Sequence, residues 1–439
     1  MNSNLNTANV QKDITLEIKK KALICGINLG DDELFYYQLK ELKSLCEACN
    51  LEVIETITQN LKSVNPATYV GIGKLKEIYE IASATEIDTI VFNDELSPSQ
   101  LKNIDDVLGN EFEVIDRTMA ILEIFEKRAT SKEAYLQVEI AKLKYMLPRL
   151  IGTRGYLSRT GGGGGGGAGA RRGLGETKLE LDRRHIEMKI SKAKQELEAL
   201  KKARQTSRKM RNDNGEKTVA FVGYTNAGKS STINAILKLF GSDSKEVFVK
   251  DMLFATLETQ TRKVKLPNNH SFLITDTVGF VSKLPHHLVE SFKSTLEEIK
   301  EANLIIHIID ANSPFRDLQI QTTNEVLESL GIQEIPTIYV LNKTDLVKNM
   351  ITLNQYQNSI HISAKLNEGV RDLVNKIDET LYNETYLDKY LIPYDQGSYV
   401  SLLQENCHVI ETNYLNEGIE ITASVSLHIH NLLSKYKIN

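Results

Sequence analysis

The spacing of apolar residues changes period several times along the chain. Between residue 20 and about residue 118, the short apolar runs KALICGI, LEVIETI, IDTIVFN and FEVI alternate with amphipathic stretches at 32–48, 74–84 and 98–108. Strands alternating with helices predict a parallel α/β sheet. Within that region "GIGK" (71–74) reads as a turn into a helix, since a short Gly-x-Gly is a weak phosphate signal. Further on, Leu136, Ile140, Leu143, Leu147 and Leu150 recur at steps of four and three. Leu179, Ile186, Ile190, Ala193, Leu197 and Leu200 recur with matching steps. This is the seam spacing of two packed helices, the second expected from about Glu176 to Arg204 and about 40 Å long. Seven glycines, Gly161–Gly167, lie between the seams, and only a reversal there buries both stripes. An antiparallel hairpin with a glycine-rich tip follows. Strand–helix alternation returns over about 215–382, and the end of the chain, with LIPY, HVIETNY and GIEITASV and an NEG turn, reads as a small α/β or hairpin-bearing module.

Composition narrows the class. The chain has 439 residues, 41% apolar and 25% charged, with no apolar run approaching the ~20 residues of a bilayer span. The start MNSNLNTANVQKD shows no basic-then-apolar signal, so a cytoplasmic protein without integral membrane association is expected. Cys46 and Cys49 form a C-x-x-C, but they share helical spacing with Leu39, Leu42 and Leu45 and are expected as buried small hydrophobes. Charge is the informative feature. Residues 126–211 hold 22 Lys/Arg against 9 Asp/Glu, a balance of +13 in a chain of net charge −5, so the remainder carries −18. A basic segment on an acidic protein points to a polyanion, RNA first. Arg154, Arg159, Arg171, Arg172, Arg183 and Arg184 crowd the glycines. Bare backbone can enter a narrow place while those arginines meet phosphates; the alternative is a solvated tip with no partner.

The chemistry is carried by four motifs in order. In "VAFVGYTNAGKSS" (219–231) an apolar strand enters G-x-x-x-x-G-K-S and a helix leaves it. Gly223, Tyr224, Thr225, Asn226, Ala227, Gly228, Lys229, Ser230 and Ser231 would wrap the phosphates with backbone N–H groups, Lys229 would neutralise β/γ charge, and Ser230 would ligate Mg²⁺. "LITDTVGF" (273–280) sets Asp276 at a strand end for water-mediated contact with that ion, and Gly279 to sense the γ-phosphate. "TIYVLNKTDL" (337–346) presents Asn342, Lys343 and Asp345 to a base. A carboxylate accepts from guanine N1–H and the 2-amino group, which adenine lacks. "HISAK" (361–365) adds Ser363, Ala364 and Lys365 behind the base. Thr256 in "LFATLETQTRKV" is the candidate second hydroxyl on the metal, with Thr259 and Thr261 as rivals. Phe280 follows D-x-x-G, and a phenyl ring cannot orient water, so no catalytic residue is assigned and slow unaided hydrolysis is expected. The predicted fold is therefore α/β multidomain: an N-terminal parallel α/β domain (1–125), a basic helical hairpin with a glycine-rich loop (126–211), a P-loop GTPase domain (212–385) and a small C-terminal α/β module (386–439).

These residues, with "YVGIGKLKE" (69–77), "DELSPSQLKNI" (94–104), "VIDRTMAILEIF" (114–125), "LQVEIAKLKYMLPRL" (136–150), "LSRTGGGGGGGAGARRGLGETKLELDRRHI" (157–186), "FATLETQTR" (254–262) and "DTVGFVSKLPHHLVESFKSTLEE" (276–298), resemble the HflX family of bacterial translational GTPases over nearly the whole chain. The resemblance implies a GTP/GDP-binding factor that engages the large ribosomal subunit and its rRNA and helps to split or rescue stalled or stressed ribosomes, its hairpin loop approaching the peptidyl-transferase region. No DNA partner is expected, and a monomer is. The chain departs from the family's F-A-T-L-D-P-T-T-R at Glu258, Thr259 and Gln260, and its glycine run is longer and plainer. Two other classes share the motifs: a G-protein switch in ribosome assembly or RNA modification, and a non-catalytic nucleotide-gated scaffold.

Overall fold

The computed structural model describes residues 19–109, 111–150, 172–213, 216–240, 254, 260–283, 285, 288, 298–348, 356, 359–382 and 385–438. The glycine run, Arg154, Arg159, Arg171, Thr256 and Thr259 lie outside them, as do the side chains of Arg172 and Leu179.

The first sheet contains β1 (Lys20–Asn28), β2 (Leu51–Asn60), β3 (Thr89–Phe92) and β4 (Glu113–Asp116), all parallel in the order β2-β1-β3-β4. Its helices are α1 (Asp32–Ala48), α2 (Ile72–Ala84), α3 (Pro98–Leu108) and α4 (Arg117–Arg128). Apolar continuity makes β1 a central strand, with every residue from Ala22 to Asn28 buried. α3 starts on a capping box, in which the Ser97 hydroxyl accepts from the Gln100 N–H and the Gln100 amide oxygen accepts from the Ser97 N–H, with Pro98 at the first helical position. Gly71 caps α2, so GIGK is a helix start after a loop. Cys46 and Cys49 are buried; burial raises the Cys46 thiol to about 12 and the Cys49 thiol further, and the Cys49 thiol donates to the Ala120 carbonyl at 3.2 Å. They behave as core residues.

The hairpin consists of α5 (Lys132–Met146) and α6 (Arg172–Asp213). Leu136 and Ile140 pack with Ala193, Leu197 and Leu200, while Leu143, Leu147 and Leu150 pack with Ile186 and Ile190. Rising numbers on one helix meet falling numbers on the other, so the pair is antiparallel. α6 runs longer at both ends than its apolar seam, 42 residues or about 63 Å, because Lys, Arg, Glu and Gln are good helix formers and no proline interrupts them. Between Glu180 and Lys202 only Ile186, Ile190 and Ala193 are buried. The end of α5 that leads into the glycine-rich segment is tied to the first sheet. Asp116 caps α4 by accepting from the Met119 N–H, and it also accepts from the Leu96 N–H and, at 2.5 Å, from the Tyr145 hydroxyl. Arg149 donates to Glu95 and to the Leu96 carbonyl and lies over the Tyr145 ring.

The second sheet has the order β10-β9-β8-β5-β7-β6. Its strands are β5 (Lys217–Gly223), β6 (Gln260–Lys265), β7 (Ser271–Asp276), β8 (Leu304–Asp310), β9 (Thr337–Asn342) and β10 (Ile360–His361), with α7 (Lys229–Phe240), α8 (Arg316–Ser329) and α9 (Val370–Leu381) beside them. All pairs are parallel except β6 with β7. The third sheet is antiparallel, β12-β13-β11-β14, from β11 (Thr385–Ile392), β12 (His408–Leu415), β13 (Gly418–Ser426) and β14 (Lys437–Ile438), with α10 (Gly397–Asn406) and α11 (Leu427–Leu432). Its β12–β13 hairpin turns at the NEG expected from sequence. Among the described residues no helix is long and apolar enough to cross a membrane.

Ile140→Ala empties a buried position in the seam and is expected to cost about 2–5 kcal/mol of hairpin stability. Amide exchange along Lys132–Met146 should quicken while GDP affinity stays unchanged; unaltered exchange there contradicts the packing.

Candidate functional site

β5 delivers the chain into a loop that has no room for side chains at its two glycines. Gly223 sits at φ +144°, and a Cβ there would come within 2.2 Å of the Ile308 carbonyl oxygen. Gly228, at φ +94°, would place one 2.1 Å from the Asn342 Nδ2. Both positions are open to glycine alone. Asn226, at φ 59°, completes the turn. α7 then begins at Lys229 with Ser230 and Ser231 in its first turn, so the end of the loop is also a helix N-terminus.

Lys229 is buried, and its ammonium donates to the carbonyls of Gly223 (3.0 Å) and Tyr224 (2.9 Å). Burial lowers its pKa to about 8, and the charge of Asp276 works against that shift. The ammonium is thus held at the loop by acceptors that carry no full charge. Ser230 donates to Asp276 Oδ2 at 2.8 Å. A hydroxyl and a carboxylate in contact are hard oxygen donors of the kind Mg²⁺ takes alongside water and phosphate. They fit that ion. His307, beside Val222 on β8, is kept neutral by burial and by the Lys229 charge, its pKa pulled to about 3.

The D-x-x-G segment lies on this loop. A Cβ on Gly279 would come within 2.8 Å of Thr225 Cγ2 and 2.9 Å of Lys229 Nζ. Phe280 forms a parallel bridge with Tyr224: its N–H donates to the Gly223 carbonyl (3.2 Å), and its carbonyl accepts from the Thr225 N–H (2.7 Å). The Phe280 ring is 2% exposed and belongs to an apolar cluster with Val278, Val281, Phe254, Ala120 and Phe125. The position therefore serves packing between the first and second sheets.

The base-side motifs also meet. Asp345 Oδ1 accepts from the Ser363 hydroxyl at 2.7 Å, which orients the carboxylate at the surface. Asn342 spends both ends of its amide inside the protein, donating to the Ala227 carbonyl (2.9 Å) and accepting from the Ala364 N–H (3.0 Å). It stitches the phosphate loop to the S-A-K loop. Lys343 adopts φ 63° and pairs with Asp310 at 2.8 Å, while Lys365 is exposed. Thr261 lies within β6 opposite Thr275, on the sheet edge. Arg183 and Arg184 are exposed on α6 and form one-turn pairs with Glu187 and Glu180.

Sequence reasoning missed a second group of residues around the loop. Glu41 of α1 is buried and accepts from Arg117, from the Tyr224 hydroxyl (2.5 Å) and from the Ser282 hydroxyl (2.6 Å). The Ser282 N–H donates to the Tyr224 oxygen (2.6 Å), and Arg117 also donates to Ser282 Oγ (3.0 Å) and Asn93 (3.2 Å). Lys283 pairs with Asp94 at 2.5 Å. No local pattern announces these contacts, because the partners are 24 to 241 residues apart.

Comparison with known proteins agrees with this geometry. Residues 36–126 match the family described as GTP-binding GTPase N-terminal, 128–211 its GTP-binding GTPase Middle Region, and 218–343 the family described as 50S ribosome-binding GTPase. The chain is 43% identical to GTPase HflX of Caldanaerobacter subterraneus subsp. tengcongensis over 98% of its own length and 96% of that protein. It is 35% identical to GTPase HflX of Escherichia coli over 89% and 90%. Among solved structures, a GTP-binding protein from Sulfolobus solfataricus in complex with GDP aligns at 25% identity and a TM-score of 0.44, covering 83% of this chain and 99% of that one. With the phosphate loop, D-x-x-G, N-K-x-D and S-A-K segments assembled at one end of one sheet, and full-length relatives above 30% identity, the chain belongs to the HflX family of GTPases.

Proposed function

We propose that the chain is a cytoplasmic GTPase that uses its basic hairpin to engage the large ribosomal subunit and promotes the dissociation or rescue of stalled ribosomes. The observation that carries the ribosomal part is α6. It is a helix of about 63 Å, and between Glu180 and Lys202 it is solvated apart from its seam, with Arg183 and Arg184 exposed. The ion pairs of Arg183 and Arg184 are exposed one-turn contacts, each worth about 0.3–0.5 kcal/mol. Arg183 and Arg184 can exchange them for phosphate at little cost.

In the nucleotide seat, the N–H groups from Tyr224 to Ser231 hold the phosphates and Lys229 neutralises their charge. Ser230 and Asp276 hold Mg²⁺, directly and through water, and Thr256 is the proposed second hydroxyl. Held there, Mg²⁺ would offset the negative charge that develops on the phosphates. The Gly279 N–H contacts the γ-phosphate. Asp345, oriented by Ser363, accepts from the guanine N1–H and 2-amino groups; Ala364 and Lys365 back the base, and Lys343 is anchored behind it by Asp310. Asn342 acts by keeping the phosphate and base loops in register. Phe280 leaves the attacking water without a protein acid or base at that position, so partner-free turnover is slow.

Three outcomes follow. Asp345→Asn forfeits two hydrogen bonds to a charged acceptor, so GTP affinity in fluorescent-nucleotide titration should fall about 10²–10⁴-fold, with no gain for ATP; wild-type affinity contradicts the base assignment. Arg171→Ala with Arg172→Ala should weaken co-sedimentation with 50S subunits and flatten its salt dependence by about one unit of log–log slope per lost phosphate contact. Binding identical to wild type across salt rejects the hairpin's role. Turnover without ribosomes should be near or below about 10⁻⁴ s⁻¹ and rise steeply when they are added. Several turnovers per second from the protein alone, or no stimulation, defeats the reading.

A further inference from the structure

In an open parallel sheet a ligand ordinarily sits at the carboxyl ends of the strands, where the strand order reverses. In the first sheet that point lies between β1 and β3. There Asn93 and Asp94 follow β3, and Arg117 follows β4. What they hold is a piece of the same chain: Arg117 reaches Ser282 and Asn93, and Asp94 takes Lys283. The residues just after D-x-x-G occupy the place of a ligand.

We propose that Glu41, fixed by Arg117, is a positioning residue for the D-x-x-G segment, and that through Ser282 and Tyr224 it restrains how far that segment moves when a third phosphate arrives. The Glu41 carboxylate takes three donors, and two of them come from the G domain. Burial and the neighbouring Glu41 charge push the Tyr224 phenol far above its usual range, so it remains a donor. All three contacts hold only while α1, α4, the phosphate loop and residue 282 are together. Yet Gly279 leaves less than a methyl's clearance to Lys229 and Thr225. A γ-phosphate between Lys229 and the Gly279 N–H has to push that peptide outward, three residues before Ser282. Displacing Ser282 strips Glu41 and Arg117 of buried partners. The closed, GDP-compatible arrangement is the one the network favours, and by reciprocity whatever moves the first sheet alters preference for GTP.

The inference rests on the nucleotide seat proposed above and is tested without ribosomes. Ser282→Ala removes one hydroxyl and leaves the Glu41–Arg117 pair intact. Affinities of the full-length protein for GDP and a non-hydrolysable GTP analogue should shift so that the analogue gains about five-fold or more relative to GDP, and Ser282→Thr should restore the wild-type ratio. Tyr224→Phe combined with Ser282→Ala should give less than the sum of the single effects, since both act through Glu41. In the wild type, the Ser282 amide should lose exchange protection when the analogue replaces GDP. Loss of GDP binding itself would sink the seat. Equal weakening of both nucleotides with an unchanged ratio, or unchanged Ser282 protection, overturns the coupling alone.

Discussion

A carboxylate and a guanidinium whose side chains are 5% and 1% exposed hold this molecule to one arrangement. Burying such a pair costs several kcal/mol per ion, which attraction repays only if the remaining donors and acceptors are also satisfied. Here Tyr224, Ser282 and Asn93 supply partners to both carboxylate oxygens and to the terminal guanidinium nitrogens, while the buried Arg117 Nε has none among the described residues. Two of the three belong to the second sheet or its loops. The apolar contacts around them, Phe125 on Phe254 at 4.6 Å and the buried Phe280 and Val281, supply attraction but tolerate sliding. The polar cluster does not tolerate it. Hydrophobic burial brings the two sheets together and the buried pair selects their register.

The nucleotide seat obeys the same logic at shorter range. Gly223 is pressed on the Ile308 carbonyl from below and Gly228 on Asn342 from the side, while Gly279 closes from above on Thr225 and Lys229. Each motif is therefore a wall for another. Asn342 shows it best: its amide is consumed by Ala227 and Ala364, so its contribution is to fix the distance between phosphate and base loops. The Asp345 carboxylate, proposed above to recognise the base, is oriented by a hydroxyl from the neighbouring loop.

How much of this was legible depended on the range of the interaction that decides it. The strands of the first sheet and helices α1, α2 and α3 follow from apolar period, α2 starting two residues earlier than expected, at Ile72, whereas α4 was not marked by it. The hairpin seam was legible because residues three and four apart face the same partner. The ends of α6 were not, since beyond the seam no apolar period marks where a run of good helix formers stops. The phosphate loop could be read because its glycines answer a local backbone demand. Glu41 could not: in DELFYYQLKELKSLC it looks like one more solvated charge, and its burial is set by Tyr224 and Ser282, 183 and 241 residues away. The third sheet's order is equally non-local, with β11 between β13 and β14.

Two adjacent residues join the molecule's long arm to its nucleotide seat. Asp116 caps α4 while holding the Tyr145 hydroxyl of α5, so the end of α5 that leads into the glycine-rich segment is fixed to the start of α4. Arg117, the next residue, holds Glu41 and Ser282. A helix start is stiff, because its first turn fixes several dihedrals at once. The two contacts therefore move as one body, and the hairpin cannot tilt about Asp116 without carrying the Arg117 guanidinium with it. Burial raises the Asp116 pKa against the pull of three hydrogen bonds, so the carboxylate is dehydrated yet tethered, a poor hinge. A displacement of the loop end of α5 thus reaches the seat through Arg117, by way of the single turn of backbone that both contacts share.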